Sequence, residues 1–159
     1  MDAFLAIASK RDERRYVDRP VADEAVARIL DAGRLSGSSR NTQLWNFVLV
    51  SDTDALADAV SRPDNVRTAG LVIAITGKAG MFDVGRCAQN MMLAAWDAGV
   101  VSCPNGIRDP ERAAEVVGGE VKMILSFGYP LRELHVEDRS AEDWSRRANR
   151  KSLDDLVIR

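Results

Sequence analysis

Residues 38–50 read Ser38-Ser39-Arg40-Asn41-Thr42-Gln43-Leu44-Trp45-Asn46-Phe47-Val48-Leu49-Val50, a polar loop that runs directly into an apolar segment. Phe47 to Val50 is short, β-branched and aromatic, so it reads as a strand. The stretch before it, Ser38 to Trp45, is rich in hydroxyl and amide side chains. Those groups form ordinary turns, and they can also cradle a phosphate or meet the edge of a heterocycle. Upstream, Val26, Ile29 and Leu30 follow Pro20 at helical spacing, and that helix ends near Gly33 to Gly37. The decisive stretch therefore joins a helix to a strand.

Working outward, the other elements fall into an alternating order. A short helix spans about Asp2 to Ser9, before the charged run Lys10 to Arg19. A helix begins near Asp54, with Asp52 or Thr53 as its N-cap. Leu71 to Ile75 has no polar residue on either face and reads as a fully buried strand. Phe82 to Ala98 is the longest helix, and Met91 to Trp96 make its centre apolar all round, which calls for cover on more than one side. Val100 to Cys103 is a short strand, Asp109-Pro110 opens a helix, and Val121 to Phe127 is the last strand. After Pro130 the chain turns polar, with capping boxes at Ser140-x-x-Asp143 and Ser152-x-x-Asp155. The order implies a central sheet flanked by helices, with strand directions left open.

Composition narrows the function classes. The chain has 159 residues, 46% hydrophobic and 29% charged, which fits one globular domain over 1–159, with a core to about 130 and a tail over 131–159. No apolar run approaches the roughly 20 residues that span a bilayer. A net charge of −2 removes the simple case for nucleic acid, although 18 of the 22 basic residues are arginine. Cys87 and Cys103 form no CxxC and His135 is the single histidine, so no metal site is expected and no acid–base triad is evident. The N-terminal residues lack the layout of a secretory signal, which makes the cytoplasm the expected compartment. Neither a GxGxxG nor a GxxxxGK[ST] loop is present.

Three polar clusters remain: Lys10-Arg11-Asp12-Glu13-Arg14-Arg15-Tyr16, the Ser38–Trp45 stretch, and Ser102-Cys103-Pro104-Asn105-Gly106-Ile107. Alone, each has a plain structural reading as a solvated cluster or a turn. In order, together with Cys87-Ala88-Gln89-Asn90-Met91-Met92-Leu93-Ala94-Ala95, Gly128-Tyr129-Pro130 and Arg150-Lys151-Ser152-Leu153, they resemble the nitroreductase family over nearly the whole chain. Ser-Ser-x-Asn-x-Gln-x-Trp is the most specific part of the likeness.

That resemblance implies an α+β fold: a three-layer α-β-α sandwich with a central mixed, mostly antiparallel sheet, and a C-terminal tail embracing a partner subunit. It implies a homodimer holding FMN at the subunit interface, with NADH or NADPH as electron donor and a nitroaromatic, quinone or other small acceptor. On it, Lys10, Arg11, Arg150 and Lys151 match phosphate-binding positions, with Asp12 among them. Arg14 matches the cation near flavin N1 and O2. Ser38, Ser39, Asn41 and Gln43 would reach the cofactor from the second subunit, and Pro104, Asn105 and Gly106 would meet the ring near N5 and O4. No side chain is expected to be catalytic, because the flavin carries the chemistry. Three departures stand out: Asp12 in place of the family's usual Ser, Leu44 in place of Pro, and no extra helices between Ile75 and Phe82. A low-turnover protein that sequesters or senses FMN is the alternative, and a dimeric interaction module without flavin is a third reading.

Overall fold

Leu71–Gly77 (β2) and Val121–Gly128 (β4) pair antiparallel at the centre of the sheet, through Ile73↔Leu125 and Ala74↔Ile124. Trp45–Leu49 (β1) joins the free side of β2 and Val101–Asn105 (β3) joins β4, giving the order β1-β2-β4-β3. This computed structural model describes residues 1–136 and 138–158; Glu137 and Arg159, both in the expected tail, lie outside the described residues. All four strands pair antiparallel. Among the described residues the parallel pairing is one isolated bridge beside the sheet, Asp12 to Ser102.

The helices are α1 (Ala3–Ser9), α2 (Asp23–Arg34), α3 (Thr53–Ala57), α4 (Asp64–Arg67), α5 (Met81–Asp97), α6 (Pro110–Val117) and α7 (Ala141–Arg147). Strand alternation divides them between two faces. Ile73, Ile75, Leu125 and Phe127 point to the side covered by α2 and α5, where Val84, Cys87, Met91 and Ala95 are buried. Val72 and Ile124 point the other way, onto Leu56, Val60, Val66 and Ala113 of the α3, α4 and α6 region. This is the expected three-layer sandwich. Each fully buried Ile, Leu or Phe contributes on the order of 1.5–3 kcal/mol. Helix α2 packs closely on α5 because Gly33 has no side chain: a Cβ there would lie 2.8 Å from Phe47 Cζ and 3.0 Å from Met91.

Local chemistry sets the boundaries. Asp2 accepts from the amides of Phe4 and Leu5, Asp52 from Ala55, and Asp109 from Arg112, each satisfying orphan donors of a first turn. Gly118 closes α6 with φ +82. Some boundaries differ from those read in the sequence. The first strand begins at Trp45, and α4 was not anticipated, being a single turn without periodicity. Strand β3 runs on to Asn105, taking in Pro104 and Asn105 of the expected loop. Proline is tolerated there because β3 is an edge strand. The Ser140 box caps α7, whereas the Ser152 box, with Asp155 N 3.2 Å from Ser152 Oγ, closes only a turn. The tail folds back on its own chain, α7 packing against α1.

Candidate functional site

The N-terminal run after α1 lies along the open edge of β3. The Asp12–Ser102 bridge and a hydrogen bond from Glu13 N to Ser102 O (3.1 Å) fix it there. Residues 10–14 are thereby carried to Pro104, Asn105 and Gly106, some 90 positions away in sequence. Lys10 lays its stem over α5 with its side chain only 8% exposed, Nζ 3.4 Å from Met92 Sδ and ion-paired with Asp12. Arg11 donates to the carbonyls of Ala8, Lys10 and Trp144, each at 2.8 Å, and its guanidinium lies 5.5 Å from the Trp144 ring. Burial, then the nearby charge of Arg150, lowers the Arg11 pKa. Arg150 thus lies near Arg11, lining a cavity between α1 and α7, and both it and Lys151 are exposed.

Behind the edge sits a buried polar network. Tyr16 Oη is 2.9 Å from Ser126 Oγ and donates to Glu13 O at 2.9 Å, holding the end of the N-terminal run. Burial dominates the Tyr16 hydroxyl and pushes its pKa up to about 12. Asn105 donates to Cys103 O (3.1 Å) and Ser126 Oγ (3.0 Å) and accepts from Asn65 Nδ2 (3.1 Å). Its side chain is thus spent inside the protein, leaving the backbone of this corner to meet a ligand. Burial raises the Cys103 pKa and the charge of Arg14 opposes it, so the guanidinium lies close to this edge. Arg14, Arg62, Asn65, Pro104, Asn105 and Gly106 together line a cavity of about 130 Å3.

The Ser38–Gln43 loop is elsewhere, at the N-terminal end of α5. Ser39 N donates to Asp83 Oδ2 at 3.3 Å, and Ser38 Oγ accepts from Gln43 N at 2.9 Å. Arg40, Asn41 and Gln43 all have φ near +50°, a left-handed conformation that non-glycine residues adopt at a cost. Lys10 meets α5 at Met92, nine residues beyond Asp83, so along the helix the two clusters are roughly 14 Å apart. One chain therefore brings Lys10, Arg11, Asp12 and Arg14 to the β3 edge that carries Pro104, Asn105 and Gly106, leaves Arg150 on the α1–α7 side near Arg11 and Lys151 exposed, and keeps Ser38, Ser39, Asn41 and Gln43 in a second group.

Comparison with known proteins identifies the family. The model of the Nitroreductase family matches residues 7–64 and 59–129. The chain belongs to the nitroreductase family. A relative from Archaeoglobus fulgidus, whose provisional name is NADH dehydrogenase/NAD(P)H nitroreductase, is 28% identical over 152 residues, covering 83% of this chain and 87% of the relative. Among solved structures, a nitroreductase family protein of Clostridium difficile 630 superposes with TM-score 0.82 at 22% identity, over 99% of this chain and 98% of that one. A Desulfovibrio desulfuricans nitroreductase solved with FMN gives TM-score 0.81 at 24% identity, over 100% and 97%. The direct passage from β2 to α5 thus occurs in a nitroreductase-family chain that spans nearly the full length of these neighbours.

Sequence reading missed Ser61, Arg62 and Asn65 of the cavity that Arg14 lines, and Asn65 matters most. It stands on a single-turn helix and carries no motif, yet it is buried, bonds to Asn105 and lines the same cavity as Arg14. A lone asparagine after Pro63-Asp64 looks like a turn former, and nothing local marks it as buried. The residues present suit a phosphorylated flavin: a cation cluster for a phosphate, a polar cavity beside it, and a buried Ser102 Oγ without a hydrogen-bond partner among the described residues, next to the Asp12 bridge.

Proposed function

We propose that this chain is an FMN-dependent oxidoreductase that takes a hydride from NADH or NADPH and delivers electrons to a small acceptor such as a nitroaromatic or a quinone. The observation that carries this reading is the Asp12–Ser102 bridge. It assembles Lys10, Arg11 and Arg14 beside Pro104–Gly106 in a member of the nitroreductase family. The Desulfovibrio neighbour was solved with FMN, and a Vibrio harveyi neighbour is named an NADPH:FMN oxidoreductase, which agrees with it.

In this reading Lys10, Arg11, Arg150 and Lys151 hold the flavin phosphate. Arg14 offers a fixed positive charge where negative charge accumulates on reduction. Asn65 and the backbone at Asn105 and Gly106 face the ring, with the Asn65–Asn105–Ser126–Tyr16 network keeping that corner rigid. The flavin supplies hydride acceptance and donation when bound. The protein's part is to bind, orient and polarise, which is why no acid–base pair is needed.

The reading includes a homodimer. The Ser38–Gln43 group lies too far along α5 to serve its own chain's cation cluster and would complete the partner's site. Phe82, 79% exposed at that end of α5, and exposed Leu153, Leu156, Val157 and Ile158 of the tail are the apolar surface a second subunit would cover. The chain is taken as one domain, and its two free cysteines suit the reducing cytoplasm. None of its described helices is long and apolar enough to cross a membrane.

The visible spectrum of the purified protein tests this. Bound flavin that bleaches anaerobically on adding NADH or NADPH is expected. A colourless protein that takes up no added FMN refutes the reading. One alternative is a flavin-sequestering protein with little turnover, motivated by the departure at Asp12 together with the direct passage from β2 to α5, which leaves out the helices that would roof a substrate. Firmly bound flavin that neither nucleotide reduces would establish that alternative instead.

A further inference from the structure

The guanidinium of Arg11 is tied to two helix ends at once. Nη1 donates to Lys10 O and to Ala8 O in the last turn of α1, and Nη2 donates to Trp144 O in the last turn of α7, each at 2.8 Å. Helices leave such C-terminal carbonyls without a partner of their own. A guanidinium carries five N–H donors. Three are committed here, and among the described residues the Nε–H and one Nη2–H have no acceptor. Two donors are what one guanidinium gives a phosphate in a bidentate pair. Ordering a long arginine on a ligand costs side-chain entropy, and a side chain fixed beforehand avoids that cost.

Trp144 secures the α7 end of this tie. Its indole lies 5.5 Å from the Arg11 guanidinium and 5.2 Å from that of Arg139, within cation–π range. Nε1 donates to Val136 O at 2.9 Å, and Val136 is itself buried with Tyr16, Trp96 and Val101. The indole is thereby anchored to the cluster that contains Tyr16, the residue holding the end of the N-terminal run. Just past the helix, Asn149 takes φ +50 and turns the chain. Arg150 then lines the α1–α7 cavity beside Phe4, Ile7 and Ala8.

We propose that Trp144 is a positioning residue for flavin binding: by docking α7 on α1 it fixes Arg11 in advance, with two donors left for the phosphate of FMN. The inference rests on the oxidoreductase reading above. Trp144 acts through Arg11, whose third acceptor is the carbonyl of Trp144 itself. The coupling is reciprocal, because two events that favour one arrangement of Arg11 favour each other. A phosphate held by the fixed guanidinium keeps α7 docked, and a flavin without a phosphate does not.

The test is titration of the flavin-stripped full chain with FMN and with riboflavin, read by quenching of flavin fluorescence. Trp144→Ala is expected to weaken FMN by about tenfold, as for a charged hydrogen bond lost, and riboflavin by less than about twofold. Trp144→Phe keeps a ring beside the guanidinium and is expected to weaken FMN by less than about threefold. Hydrogen exchange of the unmodified chain reads the coupling from the other side and depends on no variant folding. FMN is expected to slow exchange of the 141–147 amides, and riboflavin to leave it unchanged. An FMN affinity unmoved by Trp144→Ala, equal losses for FMN and riboflavin, or equal losses in the two variants overturns the proposal. So does exchange over 141–147 that stays the same or quickens with FMN bound, and each of these results leaves the oxidoreductase reading standing. A chain that takes up no FMN overturns both.

Discussion

Asp12→Ser is the most informative single substitution. In the proposed site Lys10 must turn its ammonium to the flavin phosphate, but Asp12 already holds it. Two anions on one ammonium lie about 5 Å apart, and at an effective dielectric near that of water their repulsion is about 1.7 kcal/mol for a dianionic phosphate. Asp12 is 41% exposed, which keeps the estimate at this wet limit and not at the several-fold larger value of a dry interior. The expected gain in FMN affinity is therefore roughly tenfold. Quenching of flavin fluorescence measures it, and riboflavin provides the control: lacking the phosphate, its affinity should change less than about twofold. An FMN affinity that stays the same or falls, or an equal gain for riboflavin, would refute the electrostatic reasoning.

Arg14→Gln should make bound flavin harder to reduce by about 30 mV, equivalent to about 1.4 kcal/mol for a two-electron couple, as read by dye-coupled potentiometry; an unchanged potential removes Arg14 from the ring. Gly33→Ala should destabilise the α2–α5 contact by about 1–3 kcal/mol in urea unfolding, because its Cβ meets Phe47 and Met91 at 2.8–3.0 Å. Burial pushes the Cys87 thiol up from 9.0 to about 11, so the folded state keeps a proton that the unfolded chain releases. The stability this group contributes is full below pH 9 and lost as pH rises from 9 to 11. Cys87→Ala should flatten that alkaline loss in denaturation measured across the range.

The layered fold was legible because its signals are local. Leu71 to Ile75 is apolar on both faces, Met91 to Trp96 calls for cover on several sides, and Asp52, Asp109 and Ser140 announce helix starts. Half of the candidate site was legible too, since Lys10–Tyr16 and Pro104–Gly106 are dense in chemistry even as isolated strings. What joins them was not. The Asp12–Ser102 bridge is a backbone contact across some 90 residues and leaves no mark on either segment. Asn65 escaped for the same reason, its importance arising from burial against Asn105. The chain after Pro130 read only as polar, and the fold brings its Arg132, Arg139 and Arg147 to the same cavity as Arg15.

The placement of residues 10–16 along β3 also bears on edge-to-edge association. A sheet edge offers unpaired backbone groups to any passing strand, and β3, with its proline, is one of the two edges here. The same seven residues that supply the cation cluster shield part of that edge, with Tyr16 as the pin. A chain clipped before Val17 would lose its candidate site and gain a sticky strand at one stroke. Any ligand that gathers Lys10 and Arg11 would conversely hold the shield shut, so loss of the ligand and the onset of aggregation should go together.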